Sequence, residues 1–281
     1  MEAAAREREF EFTDRDFREV RELVRKLTGI ALSDAKHDLV YGRLARRLRK
    51  LGLVRFGDYL DIVRQPESAE LREFVNSLTT NTTSFFREAP QFDLLTQRVL
   101  PELLRGHASD RKLRFWSAGC STGQEPYTIA MVVAGELPAS ESWDFRILAT
   151  DLDSDVLSTA RAGIYTEALA DSVPRALRER WFQQGTGPNA GRLRVRKELR
   201  DLITFNQLNF MHAWPMKGPF DAIFFRNVAI YFDRPTQSEL VRRFAEKLAP
   251  RGWLFVGHSE TLLDCAGIVE ACGRGVYRRC A

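Results

Sequence analysis

The chain has 281 residues, 42 Lys and Arg against 38 Asp and Glu, and a net charge of +4. This length can hold one large core plus a small helical domain, and the composition is that of an ordinary soluble protein. It has no unbroken apolar run long enough for a membrane span, and residues 1–9 are charged and Ala-rich without the apolar core of a signal peptide, so a cytoplasmic location is expected. The cysteines Cys120, Cys265, Cys272 and Cys280 form no C-x-x-C pair, and no histidine stands at ligand spacing beside them. No metal site is therefore expected, and free thiols are the simplest reading in a reducing compartment.

The spacing of Phe17, Val20, Leu23, Val24 and Leu27 predicts a helix over 12–27, capped by Thr13 or Asp14 and stopped at Gly29. A second helix is expected from about Ser33-Asp34 to Leu51, with Leu39, Val40, Leu44, Leu48 and Leu51 as its buried side. Its outer side carries Lys36, Arg43, Arg46, Arg47, Arg49 and Lys50, six cations against the one acid Asp38. Short helices follow over 56–63 and 68–78. Nothing up to Leu78 reads as a strand, so residues 1–78 form an expected all-α domain. Residues 79–90 read as a linker, yet Phe85, Phe86 and Arg87 are unusual in a free tether.

A helix over 91–104 leads into alternating strands and helices over 91–281. Strands are predicted at 113–118, 145–150, 202–208, 220–225 and 253–257, and helices at 124–135, 155–162 and 236–248. Residues 267–280 read as a closing antiparallel pair turning at Gly273-Arg274-Gly275. The alternation breaks over 163–200. This insertion holds a helix over 174–182, a glycine-rich turn over 185–191, and Arg192-Leu193-Arg194-Val195-Arg196, which reads as an exposed edge strand charged on one face.

Chemistry concentrates at the ends of the apolar strands, where ligands sit in open α/β sheets. After the first strand comes a turn of small residues with Gly119 and Gly123, a G-x-x-x-G pattern that suits a small adenosine-type ligand at least as well as a dinucleotide. Cys120 lies in this turn with no base evident beside it, and reads as a small space-filling residue. The second strand ends in Ala149-Thr150-Asp151-Leu152-Asp153. A carboxylate at Asp151 is placed to accept both hydrogens of a ribose hydroxyl pair. Helix capping is the alternative for Asp151, but Asp153 or Ser154 fills that role better. Strand 220–225 ends in Arg226-Asn227-Val228-Ala229-Ile230-Tyr231, with no D/N-P-P-Y/F motif of amino-group methyltransferases.

Five separated stretches, W-S-A-G-C-S-T-G-Q-E-P-Y, A-T-D-L-D, F-D-A-I-F-F-R-N-V-A-I-Y-F-D, V-G-H-S-E and T-N-T-T-S-F-F-R-E, together resemble the chemotaxis receptor methyltransferases. The resemblance runs from about Phe12 to the C-terminus. It implies a Rossmann-like class I methyltransferase sheet with helices on both faces, an N-terminal all-α domain, and a small β-subdomain over 163–200. It further implies methyl transfer from S-adenosyl-L-methionine to glutamate side chains of chemotaxis receptors, leaving S-adenosyl-L-homocysteine, with no metal.

In that pattern Asn81, Thr83 and Arg87 reach the cofactor from the linker. Gly119 lies in the glycine turn, Glu125 near the amino-acid end, Asp151 on the ribose, and Asn209-Phe210 beside the adenine. Arg226 and Asn227 complete the pocket. Arg87 and Tyr231 are assigned to orienting the acceptor as hydrogen-bond donors, since a glutamate nucleophile is already ionised and needs no base. Glu125 can equally stabilise its helix dipole, and Tyr231 can equally be half in the core. Nothing beyond loop architecture is read for His258 or Glu260.

Three readings compete for the basic helix: a solvated face, nucleic-acid binding, and docking on an acidic receptor helix. Aromatic residues for base stacking are missing, and the resemblance favours the receptor's cytoplasmic helical region. In some members of that family the β-subdomain adds a receptor C-terminal peptide as an extra strand, a role that Arg192, Arg194 and Arg196 suit. Neither nucleic acid nor membrane insertion is expected. A nucleic-acid methyltransferase and a non-catalytic, cofactor-binding docking module remain the alternatives.

Overall fold

The computed structural model describes residues 8–65, 67–138, 141–262 and 265–280. The opening seven residues of the charged N-terminal stretch lie outside this set. The chain divides into two compact units, Met1–Thr80 and Asn81–Ala281.

The first unit holds helices α1 (Asp14–Thr28), α2 (His37–Leu51), α3 (Phe56–Arg64) and α4 (Ala69–Leu78). Thr13 closes a capping box with Asp16 at the start of α1, and Gly29 ends it in the left-handed region at φ 77°. The core gathers Phe17, Val20 and Val24 of α1 with Val40, Leu44 and Leu48 of α2, and with Phe56, Tyr59, Leu60 and Phe74. Leu51, expected inside, is 41% exposed, because α2 ends there before Gly52 reverses the chain.

Arg47 does not belong to the outer face. It turns inward to a bidentate pair with Glu70, both bonds 2.8 Å, and also meets Glu73 at 2.8 Å. Tyr59 Oη donates to the same Glu70 carboxylate at 3.1 Å. Residues 43, 47 and 50 follow one another at helical spacing, so one residue of a basic stripe falls on the seam with α4. Of the others, Arg43 donates to the Thr79 carbonyl, Arg46 to its own helix at Gly42, and Arg49 pairs with Glu9.

Among the described residues the second unit is built on ten strands: β1 (Lys112–Ala118), β2 (Asp144–Asp151), β3 (Ile164–Thr166), β4 (Phe182–Gln184), β5 (Arg192–Val195), β6 (Ile203–Gln207), β7 (Phe220–Phe225), β8 (Leu248–Val256), β9 (Val269–Gly273) and β10 (Val276–Arg279). Seven of them form one sheet in the order β6-β2-β1-β7-β8-β10-β9. Its first five strands are parallel, and β10 runs antiparallel to both β8 and β9. Neighbouring residues of the central strands go to opposite faces. Phe115 and Phe224 enter one core, and Trp116, Ile223 and Phe225 the other. Burial on both faces explains why these strands read as continuous apolar runs. The chain order reverses between β1 and β7, and this places a crevice at their carboxyl ends.

The insertion is a separate three-stranded sheet in the order β3-β5-β4. This corrects the expected edge strand: Arg192–Val195 lies in the middle, with β3 and β4 outside. Those flanking strands have only three residues each, too short for alternation to declare them. The two faces are as expected, with Leu193 and Val195 buried and Arg192 and Arg194 exposed. Arg196 lies beyond the strand, capping the short helix Lys197–Arg200.

Candidate active site

The crevice is assembled from five loops that leave the carboxyl ends of β1, β2, β6, β7 and β8, together with the segment 81–88. Gly119 turns the chain at φ +85°, and a Cβ there would sit 2.5 Å from Val228 Cγ2. Only glycine lets the turn after β1 and the loop after β7 approach this closely. Gly123 has a different task. It starts the helix Gln124–Glu136 at φ 97°, where a Cβ would strike Ala160 and the Tyr165 hydroxyl. Cys120 is buried in the same turn and burial drives its thiol pKa upward, so it is a packing residue and not a thiolate.

Asp151 ends β2 with its carboxylate tied to two main-chain donors, Ser121 N at 2.7 Å and Asp153 N at 3.0 Å. Burial pushes its pKa up to about 6, against the pull of those N–H groups. Asp153, not Asp151, caps the helix Ser154–Ala162, accepting from Asp155 N and Val156 N. Its other oxygen takes the Asn81 side-chain amide at 2.7 Å, and Ser121 Oγ donates to Asn81 O at 2.8 Å. The segment 81–88 is thereby sewn to the ends of β1 and β2. Phe85 adds edge-to-face contacts with Tyr165 and Phe182 of the small sheet, and Phe86 packs on Phe92. This explains the aromatics that seemed out of place in a tether. Thr83 and Arg87 are half-buried here, and Arg87 Nη1 donates to Thr82 O at 3.0 Å.

A second cluster centres on Arg226, whose side chain is 2% exposed. Its Nη1 meets Glu125 Oε2 at 3.0 Å, while Nη2 meets Glu88 Oε2 at 3.3 Å and bonds the Arg87 carbonyl. Glu125 also accepts from Ser117 Oγ at 2.8 Å. Burial raises the Glu125 pKa beyond what Arg226 and Ser117 pull back. In Glu88 burial acts the same way, but Asn227, Arg226 and His258 outweigh it and hold the carboxyl below its ordinary value.

Asn227, at φ 57°, gives its side-chain amide to Glu88 at 3.1 Å and its backbone N–H to Glu260 at 2.8 Å. Glu260 also accepts from Ile230 N at 3.1 Å and Gly257 N at 2.6 Å. Phe86, Glu88, Ser121 and Asn227 all lie in the left-handed region. Left-handed backbone outside glycine is concentrated where loops must meet a ligand.

Asn209 and Phe210 follow β6, and Leu208 N bonds Asp151 O at 2.9 Å. Asn209 Oδ1 caps the next turn through Met211 N. The Phe210 ring is buried among Trp214, Phe225, Phe232 and Phe244, so it forms the wall behind that corner. Tyr231 is half-buried, and its N–H closes the turn onto Val228 O. Arg192 and Arg194 stand on the small sheet, and the basic positions of α2 belong to the first unit.

Reading by sequence did not single out Glu88 or Ser117 as members of these clusters. Asp153 caps its helix as expected, and Glu260 binds loop main-chain donors.

The seven-stranded sheet, with β10 reversed beside β8, has the class I methyltransferase fold. Residues 81–275 match the CheR methyltransferase SAM-binding domain, and residues 15–79 the CheR methyltransferase all-alpha domain. The chain is 48% identical to the chemotaxis protein methyltransferase of Escherichia coli, over 94% of this chain and 91% of that one. It is 45% identical to chemotaxis protein methyltransferase 2 of Pseudomonas aeruginosa, over 96% and 94%. With the Salmonella typhimurium chemotaxis protein methyltransferase it shares 43%, over 94% and 90%. The chain belongs to the CheR methyltransferase family.

Proposed function

We infer that this protein transfers methyl groups from S-adenosyl-L-methionine to glutamate side chains of chemotaxis receptors in chemosensory adaptation, forming glutamate methyl esters. The observation that carries the reading is the crevice at the tips of β1, β2 and β7, which joins a glycine cradle to a buried carboxylate. Asp151 suits the ribose hydroxyls, and Glu125 the positively charged amino-acid end. Gly119, whose missing side chain gives way to Val228, is proposed to meet the ligand through the main chain of its turn, and Asn209 with Phe210 frames the adenine corner. Asn81 and Thr83 close the site from the linker. Arg226 and Asn227 hold its floor. When bound, S-adenosyl-L-methionine supplies an electrophilic methyl group on a sulfonium.

An acceptor glutamate has an ordinary pKa of about 4.3 and arrives ionised, so the chain has no proton to remove. What remains is to align the acceptor and strip it of water. A free cation would bind the acceptor carboxylate in its ground state and resist the charge neutralisation of the transfer. Arg226 does not act in that way, because Glu88 and Glu125 already occupy it. Tyr231 is proposed to orient the acceptor through its hydroxyl, and Arg87, whose Nη1 is given to the Thr82 carbonyl, through a single hydrogen bond and not a bidentate ion pair that would hold the ground state.

Arg43, Arg46, Arg49 and Lys50 are proposed to meet the acidic cytoplasmic helices of the receptors, which places the protein in the cytoplasm. A receptor C-terminal peptide would extend the small sheet at β3 or β4, its outer strands, with Arg192 and Arg194 one strand inside and Arg196 just beyond. Among the described residues no helix is long and apolar enough to cross a membrane, and no group of metal-ligating side chains is assembled.

The test is incubation with methyl-labelled cofactor and receptor-bearing membranes. Alkali-labile label on a receptor band is expected. Alkali-stable label, or none, would refute the reading.

A further inference from the structure

Glu260 is 6% exposed and lies on the loop after β8, away from the segment that presents Tyr231. Its two oxygens collect backbone N–H groups from two loops. Oε2 takes Gly257 N at 2.6 Å and Asn227 N at 2.8 Å, and Oε1 takes Ile230 N at 3.1 Å. The turn 227–230 thus has a donor at each end bound to one carboxylate, and Tyr231 follows immediately. Asn227 stands at φ 57°, a left-handed turn that asparagine adopts more readily than other side-chain-bearing residues, and this points its N–H at Glu260. Gly257 lets the carboxylate come close: a Cβ there would lie 2.8 Å from Glu260 Oε2. Within the turn Ala229 is buried and its carbonyl accepts from Gln237 Nε2 at 2.8 Å. Ile230, next to Tyr231, is 56% exposed, so the Glu260 clamp is what holds the exposed end of the turn.

We propose that Glu260 is a positioning residue for methyl transfer, a carboxylate clamp that fixes the 227–230 turn and so sets Tyr231 against the acceptor glutamate. The proposal deepens the functional reading above and rests on the orienting role given there to Tyr231. Glu260 touches neither ligand nor acceptor in this scheme. A glutamine keeps the shape but turns one acceptor oxygen into a donor, which would face an N–H and release one end of the turn. Small displacements of a positioning group act on the reaction far more than on ligand binding.

The experiment compares the full-length parent, E260Q, Tyr231→Phe and the double variant. It reads kcat and KM for receptor membranes, and the dissociation constant for S-adenosyl-L-homocysteine by calorimetry. E260Q should lower kcat about tenfold or more, as misplacement of a positioning group does, while KM stays within about threefold and the product's dissociation constant, reached through Asn227, rises by less than kcat falls. In the E260Q background, Tyr231→Phe should add little to the loss, because the tyrosine is already misplaced. Should glutamine weaken the fold, Glu260→Asp, which keeps the charge but withdraws it by one methylene, is read in the same way.

Parental kcat in E260Q beside an impaired Tyr231→Phe overturns the inference alone. So do independent losses that multiply in the double variant. Parental kcat in Tyr231→Phe by itself overturns the underlying reading of the tyrosine.

Discussion

Ser121 N lies 2.7 Å from Asp151 Oδ2, joining the turn after β1 to the end of β2 across the mouth of the crevice. The bond holds a carboxylate in a place where burial opposes its charge. It fixes the geometry of the site before any ligand arrives.

A shared consequence concerns pH. Burial raises the folded-state pKa of Asp151 to about 6, against an ordinary value of about 3.9, so the folded chain binds this proton more tightly than the unfolded chain. Its contribution to stability is therefore largest below about pH 4 and declines as pH rises to about 6. Ligand binding has the opposite trend, since ribose hydroxyls need the ionised acceptor. Affinity for S-adenosyl-L-homocysteine should climb between pH 5 and 7, as measured by calorimetry at about one-unit pH steps, and level off above. Asp151→Asn should weaken binding by about 1.5–3 kcal/mol at pH 7.5, the worth of hydrogen bonds to a charged group, and flatten the profile.

Arg226→Gln removes a buried guanidinium that serves Glu88 and Glu125 together. Uncompensated buried charge of this kind costs about 3–5 kcal/mol, so urea unfolding of the second unit should shift to markedly lower denaturant. An unchanged midpoint would mean that water satisfies the two carboxylates.

In the first unit, Glu70→Ala takes the bidentate partner from Arg47, leaving it Glu73, and removes the acceptor of the Tyr59 hydroxyl. A loss of about 3 kcal/mol of stability is expected. By contrast, Arg46→Glu with Lys50→Glu should leave the melting temperature within a few degrees and reduce receptor methylation at moderate salt, with product affinity unaltered. Methylation at the parental rate would remove α2 from the docking surface.

His107 stands at the opposite end of the sheet, its Nδ1 3.0 Å from Asp110 and its Nε2 2.9 Å from the buried Asp221. Burial alone would lower the imidazole pKa, but the two carboxylates outweigh it and hold it above the ordinary value. A raised folded-state pKa means that the stabilisation is full below about pH 6.5 and fades as pH rises through the folded value. His107→Gln should therefore lower the melting temperature more at pH 6 than at pH 9. An equal loss at both would show that the charge has no part.

Much of the fold was legible because two-sided burial writes itself into sequence: Phe115-Trp116 and Phe220–Phe225 have apolar side chains for both faces. The glycine turn and Asp151 were legible because backbone geometry and strand ends restrict what stands there. Strands of three residues leave no such trace, so β5 passed for an edge when it is the centre. Arg47 was misplaced for a related reason, since helical spacing cannot tell a solvated cation from one aimed at a carboxylate on another helix. Glu88 and Glu260 act through main-chain donors more than a hundred and about thirty residues away, respectively, and local pattern carries no record of that.

The most direct test is a crystal structure with S-adenosyl-L-homocysteine. The ligand should lie across the carboxyl ends of β1, β2 and β6, with both ribose hydroxyls on Asp151 and its amino-acid end toward Glu125. A ligand bound elsewhere, or a ribose turned away from Asp151, would contradict the account.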